Sequence, residues 1–185
     1  MVSRWQLTQA AIIVKTGGII AYPTEAVFGL GCDPKNYSAV TRIITLKGRS
    51  ITKGLILIAA EFTQLSEFIA ELPTERAAAI HASWPGAVTW IVPVMSTVPS
   101  WLTGGRATLA VRVTAHPVAA ALCRACGSAL VSTSANYSGH PPARNLLQLR
   151  RNFKNNIDYL LPGACNLATR PSKIIDALTG VVLRY

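Results

Sequence analysis

The chain has 185 residues, half of them hydrophobic and only 14% charged, with 18 Lys or Arg against 8 Asp or Glu and a formal net charge of +10. That length suits one domain over residues 1–185, with a real core and no interval that reads as a linker. No apolar run approaches the ~18 residues of a membrane span, and the run Ala10–Val14 is too short for a secretory core, so a cytoplasmic protein is expected.

Helix and strand signals alternate along the chain. Ser3 with Gln6 makes a capping-box pattern that opens a helix, and Gly17-Gly18 stops it. "IIAYPT" then reads as a strand. "NYSAVTRIITLKG" spaces Val40, Ile43, Ile44 and Lys47 at helical intervals and stops at Gly48, and "GLILIAA" follows as a buried strand. Thr74 begins a helix that ends before "WPG". "AVTWIVPV", "TLAVRVT" and "ALVSTS" are β-rich, and "HPVAAALCRACG" is the helix between the last two, with Pro117 suited to a first helical position and His116 to a cap. A basic helix, "RNLLQLRRNF", precedes "SKIIDALTGVVLRY", two short strands about a Thr-Gly turn. That hairpin is antiparallel, so the expected fold is an α/β domain with a twisted mixed sheet flanked by helices.

Ligands of such folds sit at strand ends. Three polar clusters fall there and read as loops: "YPTEAVFGLG", "LKGRSITKG" and "STSANYSG". Familiar catalytic motifs are missing: there is no GxSxG, HExxH or Walker loop, and the GxG of "GLGCD" lacks its third glycine. The three histidines are scattered, and no two of the eight carboxylates are close enough in sequence to suggest acid–base hydrolysis. Cys123 and Cys126 have CxxC spacing, but Cys32 and Cys165 stand alone, so the four read as buried free thiols and no protein metal site is expected.

Cations and hydroxyls are what the chain supplies. Residues 100–185 carry ten Lys or Arg against Asp158 and Asp176, an excess that implies an anionic partner and says nothing about fold. Lys47, Arg49 and Lys53 surround one helix exit as a cradle for phosphates; in isolation they equally suit a helix C-terminus complementing its dipole. Ser132, Ser134 and Asn136 would line one side of a strand if it continues that far, or else close it as a polar turn.

In order, "AYPTEAVFGLGCD", "LKGRSITKGLILIA", "WPGAVTWIV", "LAVRVTAHPVAAALC" and "LVSTSANYSGHPP" resemble the YrdC-type threonylcarbamoyl-adenylate synthases in their short, single-domain bacterial form, from about Ile19 to Arg184. The resemblance implies a YrdC-like fold with a concave substrate cavity. It also implies a reaction in which L-threonine, bicarbonate and ATP give threonylcarbamoyl-AMP and pyrophosphate, for later transfer to tRNA by a separate threonylcarbamoyl transferase complex. Lys47, Arg49, Ser134 and Asn136 match the family's Lys-x-Arg and Ser-x-Asn signature, associated with nucleotide binding and catalysis. Thr108 and Arg184 fall at further ATP-contact positions, and Thr24, Arg112, Ser132 and Ser172 where relatives hold threonine. "SITKG" departs from the proline and Asn-Pro that many relatives carry after the arginine, which separates Lys53 from its neighbours in this assignment to ATP. Mg²⁺ is expected on the phosphates with few protein ligands, in keeping with the scarcity of clustered carboxylates.

A second reading belongs to another class: a non-catalytic RNA-binding module using Arg144, Arg150, Arg151 and Lys154 to hold tRNA or double-stranded RNA. Against it, "RNLLQLRRNF" sets cations beside apolar residues as any surface helix does, with no aromatic stacking pattern. A carbamoyl-transfer role, as in hydrogenase-maturation proteins that contain a similar domain, lacks its companion domains.

Overall fold

The computed structural model describes residues 2–153, 156–166 and 172–184. Local chemistry starts the helices where the sequence places them. Helix α1 (Arg4–Lys15) opens on a complete capping box: Ser3 Oγ accepts from the Gln6 amide at 3.2 Å and Gln6 Oε1 from the Ser3 amide at 2.9 Å. Asn36 Oδ1 accepts from the Ala39 amide at 2.9 Å to begin α2 (Tyr37–Lys47). That helix ends at Gly48, whose φ of 58° lets the Arg49 amide turn back to the Ile44 carbonyl at 3.0 Å. The remaining helices are α3 (Thr74–Ala82), the short α4 (Ser100–Thr103), α5 (Pro117–Cys126), capped by His116, and α6 (Leu146–Phe153).

Nine strands form one mixed sheet among the described residues: β1 (Ile20–Pro23), β2 (Phe28–Gly31), β3 (Ile56–Ala59), β4 (Val88–Pro93), β5 (Thr108–Val113), β6 (Leu130–Ser134), β7 (Tyr159–Leu160), β8 (Lys173–Asp176) and β9 (Val182–Arg184). Their spatial order is β7-β1-β2-β6-β3-β5-β4-β8-β9. The pairs β1/β7, β3/β5 and β4/β8 are parallel and the rest antiparallel, including the C-terminal hairpin expected from "SKIIDALTGVVLRY".

One expectation needs correction. The second half of "YPTEAVFGLG" is no loop but strand β2, paired with β1 and β6. Two glycines hide its alternation. A Cβ on Gly31 would lie 2.6 Å from the Val131 carbonyl and 2.8 Å from the Tyr22 ring, so this glycine admits the close approach of neighbouring strands.

Strand alternation divides the core in two. Ile20, Tyr22, Ile58 and Leu130 face α1 and α5. Ala21, Leu57 and Val131 face the larger cluster that contains α2, with Leu149 and Phe153 of α6. Three of the four cysteines are buried in these clusters and all are free. Burial raises the Cys32 and Cys123 thiols, and that of Cys126 up to about 11, so they pack as small hydrophobes.

The loop after α2 is braced from behind. Its 3-10 turn, Ile51–Lys53, leads toward β3, and just before that strand the Leu55 amide donates to the Leu102 carbonyl at 2.8 Å. Gly104 caps α4 with φ 67°, and a Cβ there would lie 2.6 Å from the Thr52 carbonyl oxygen and 2.7 Å from the Gly54 nitrogen. Gly104→Ala should therefore lower stability by more than the ~1–2 kcal/mol of a left-handed residue alone. Gly105→Ala, with φ 81° and nothing within 4 Å, incurs only the latter. Urea denaturation compares them; equal midpoints would show that Gly104 is not braced against this loop.

Candidate active site

Helices α1 and α5 cover only part of the sheet face they pack against. Along the strands, Ile56 pairs with Ser132 of β6 and Ala110 of β5, and Ala110 pairs with Ile91 of β4. Two-residue alternation puts this row on the same face as Ile58 and Leu130, which lie under the helices. The uncovered row floors a cleft of about 440 Å³. Its walls come from the β1–β2 turn, the loop after α2, the exit of β6 and the C-terminal hairpin.

Thr24 shapes the first wall, its hydroxyl donating to the Val27 carbonyl at 2.6 Å across the turn. The loop after α2 brings Arg49 and Lys53 to the cleft. One Arg49 nitrogen donates to the Gly54 carbonyl at 3.0 Å, while its Nε is buried without a partner. Burial lowers the Arg49 pKa.

Lys47 is placed differently from these two. It is 3% exposed and does not line the cleft. Its ammonium donates to the Ser134 carbonyl, to the Asn136 carbonyl at 2.8 Å and to Asn136 Oδ1 at 3.2 Å, using all three protons. Asn136 is equally occupied: Oδ1 accepts from Ser134 Oγ at 2.6 Å, and Nδ2 donates to the carbonyls of Tyr137 and His140 at 2.9 and 2.7 Å. Strand β6 stops at Ser134, so Ser134 and Asn136 meet through a turn and not through strand alternation. Ser132 and Ser134 line the cleft, and Lys47 with Asn136 clamps the segment beneath. Burial, and secondarily the Arg49 charge, lower Lys47 to about 8.

Arg112 enters from β5 and is 8% exposed. It has a partner that the sequence did not disclose: one guanidinium nitrogen lies 3.3 Å from Glu25 Oε2, and Glu25 Oε1 accepts from the Thr114 hydroxyl at 2.7 Å. Glu25 sits in the quoted "YPTEAV" but offered no signal, being one of eight scattered carboxylates. At the far wall the Arg184 guanidinium folds onto Ser172, donating to its carbonyl at 2.8 and 3.1 Å and its hydroxyl at 3.2 Å. Ser172 Oγ in turn lies 2.9 Å from Thr89 Oγ1 in the buried interior. Burial first, then Arg112, lower Arg184. Thr108 begins β5 opposite Pro93 and is not among the cleft-lining residues; it stands on the same strand face two residues outward from Ala110, at the rim.

Among the described residues, the cleft presents four cations, Arg49, Lys53, Arg112 and Arg184, against the single carboxylate of Glu25. Such a surface receives a polyanion and offers a row of hydroxyls beside it. The described residues contain no group of three or more His, Cys, Asp or Glu placed to hold a metal. Arg144, Arg150 and Arg151 are exposed around α6 and do not line the cleft, and Lys154 lies outside the described residues.

The family model Sua5_yciO_yrdC, described as "Telomere recombination", matches residues 12–185. The threonylcarbamoyl-AMP synthase of Nitrosococcus oceani is 54% identical over 180 residues, 97% of each chain. Among solved structures, E. coli YciO superposes with a TM-score of 0.86 at 26% identity, over 98% of this chain and 89% of that one. P. abyssi Sua5 complexed with L-threonine gives 0.89 at 33% identity, over 95% of this chain, which spans about half (52%) of that longer protein. The likeness covers nearly the whole sequence, and the chain belongs to the Sua5/YciO/YrdC family.

Proposed function

We propose that this protein is a threonylcarbamoyl-AMP synthase that joins L-threonine, bicarbonate and ATP, releasing pyrophosphate. The observation that carries the reading is the cleft itself, four cations and a serine row over an apolar floor, in a chain 54% identical to a synthase over 97% of both lengths. The product would supply a tRNA threonylcarbamoyl transferase complex, which sets the reaction in the cytoplasm; no described helix is long and apolar enough to cross a membrane.

The chemistry suits these residues. Threonine's amine and bicarbonate condense to a carbamate with loss of water, and a carbamate oxygen then attacks the α-phosphorus of ATP while pyrophosphate leaves. This step needs alignment and charge neutralisation more than a protein nucleophile. Arg49, Lys53 and Arg184 would bind the phosphates, and Arg49 Nε is a buried donor still without a partner. Ser134 would hydrogen-bond the nucleotide from the segment that Lys47 and Asn136 hold rigid, and Thr108 would contact it from the rim. Arg112 would take the threonine carboxylate, with Thr24, Ser132 and Ser172 bounding that end. Mg²⁺ fits as a passenger on the phosphates: Glu25 is the one carboxylate of the cleft lining among the described residues, so phosphate oxygens and water would be its ligands and charge neutralisation its contribution. The exposed arginines of α6 allow weak, sequence-independent contact with tRNA, a surface property separate from the cleft.

Pyrophosphate release from ATP should require threonine and bicarbonate together. Equal release without threonine would refute the synthase reading. Within the site, Arg112→Ala should raise the threonine KM roughly ten- to hundredfold, the equivalent of about 1.5–3 kcal/mol for a charged hydrogen-bonded contact, while Arg49→Ala should act on ATP. Steady-state titration of each substrate separates the two; an Arg112→Ala enzyme impaired only toward ATP would invert the assignment.

Lys47 adds a pH signature. With its folded value lowered from 10.5 to about 8, the ammonium that clamps Ser134 and Asn136 is lost as pH rises through about 8, and activity should fall there. Stability should not fall with it through this residue. Between about 8 and 10.5 the unfolded chain binds more protons at Lys47 than the folded one, so this lysine's contribution becomes more favourable as pH rises. Lys47→Arg, which stays charged, should move the alkaline limb upward in a pH–rate profile. An unshifted limb in an active variant would remove Lys47 as its origin.

A further inference from the structure

Of the four cations that line the cleft, Arg112 alone has a carboxylate within ion-pair distance among the described residues. Arg49 is held by the Gly54 carbonyl and Arg184 by Ser172, both uncharged partners. Glu25 is not placed opposite Arg112 by chance of a surface rotamer. Its side chain is 14% exposed, its Oε1 is anchored by the Thr114 hydroxyl at 2.7 Å, and its backbone carbonyl accepts from the Asn166 amide at 2.9 Å. Thr114 is itself buried and accepts from the His116 amide, which opens α5. The carboxylate is therefore tied to the rigid end of β5, and its Oε2 has no hydrogen-bond partner to turn it away from the guanidinium.

We propose that Glu25 is a specificity-determining residue: by neutralising Arg112 it makes this end of the cleft a receptor for a zwitterion, and so keeps the phosphates of ATP and pyrophosphate out of the amino-acid subsite. The inference rests on the synthase reading for the identity of the zwitterion, threonine. An amino acid carries no net charge, whereas a triphosphate carries several negative ones. Arg49, Lys53 and Arg184, without a carboxylate partner among the described residues, attract the polyanion; a cation of equal strength at Arg112 would attract it there as well. A buried guanidinium without a counter-charge recruits whichever anion is at hand, because leaving it alone is costly. Paired with Glu25, Arg112 retains donors for a carboxylate, its buried Nε having no partner, but loses the net charge that favours phosphate.

Glu25→Gln keeps the side chain's shape and its acceptor toward Thr114 while removing the charge. In this variant ATP should become a competitive inhibitor against threonine. The apparent threonine KM should rise roughly ten- to hundredfold at saturating ATP and much less at low ATP. Glu25→Asp, which keeps the charge, should suppress the ATP inhibition even if it is slower. Inorganic pyrophosphate provides a readout independent of turnover: by calorimetry the Glu25→Gln protein should bind one more equivalent than the parent, displaced by threonine. A threonine KM that rises equally at all ATP concentrations, together with unchanged pyrophosphate stoichiometry, would overturn the proposal and leave Glu25 as a structural support of Arg112. If Glu25→Gln does not fold, Thr114→Val, which only loosens the carboxylate, should show the same ATP–threonine competition in weaker form, and its absence there counts equally against the idea. A parent protein without threonine-dependent pyrophosphate release would refute the synthase reading instead, and the calorimetric stoichiometry would still decide whether Glu25 excludes anions.

Discussion

A buried ammonium organises this protein. Lys47 ends α2, yet its three protons go to the Ser134 and Asn136 carbonyls and the Asn136 side chain, 87 to 89 residues further along the chain. A charge removed from water is tolerated only when such partners are complete, so the helix exit and the strand exit are fixed to each other. Backbone bonding reinforces the join, with the Ser138 amide donating to the Lys47 carbonyl at 2.7 Å. Because β6 lies between β2 and β3, the join is made inside the sheet and not at its edge. Arg49 and Ser134 inherit their positions in the cleft from a residue that does not line it.

The electrostatics follow from the same architecture. The cleft occupies the part of one sheet face that α1 and α5 leave uncovered, so Arg112 is buried while Lys53 and Arg184 stay exposed at its margin. Burial lowers Arg49 and Arg184, and Arg112 adds to the effect on Arg184. An anion bound among these groups would offset the proximity of Arg112 and Arg184. The cations of α6 are a different case: Leu149 and Phe153 anchor the helix in the core and leave Arg150 and Arg151 to solvent, where screening makes each of small consequence.

The amino-acid sequence by itself determined the helices with explicit start and stop signals, because caps, Pro117 and Gly48 act within a few residues of each other. It also determined the C-terminal hairpin, the burial of Cys32, Cys123 and Cys126, though not of the half-buried Cys165, and the inventory of cations and hydroxyls from which the cleft is built. Strand β2 was not legible, since Gly29 and Gly31 erase the alternation that marks a strand and are required only by the neighbours they approach. What the tertiary structure alone decided is which charges meet. Lys47 and Arg49 are two residues apart and read as equivalent, but one turns inward to β6 and the other faces the cleft. Glu25 and Arg112 are far apart in the chain, and nothing local to either announces a partner. Capping and periodicity are short-range and leave a trace in the sequence, whereas an ion pair depends on distance in space, which the chain reveals only after the sheet has assembled.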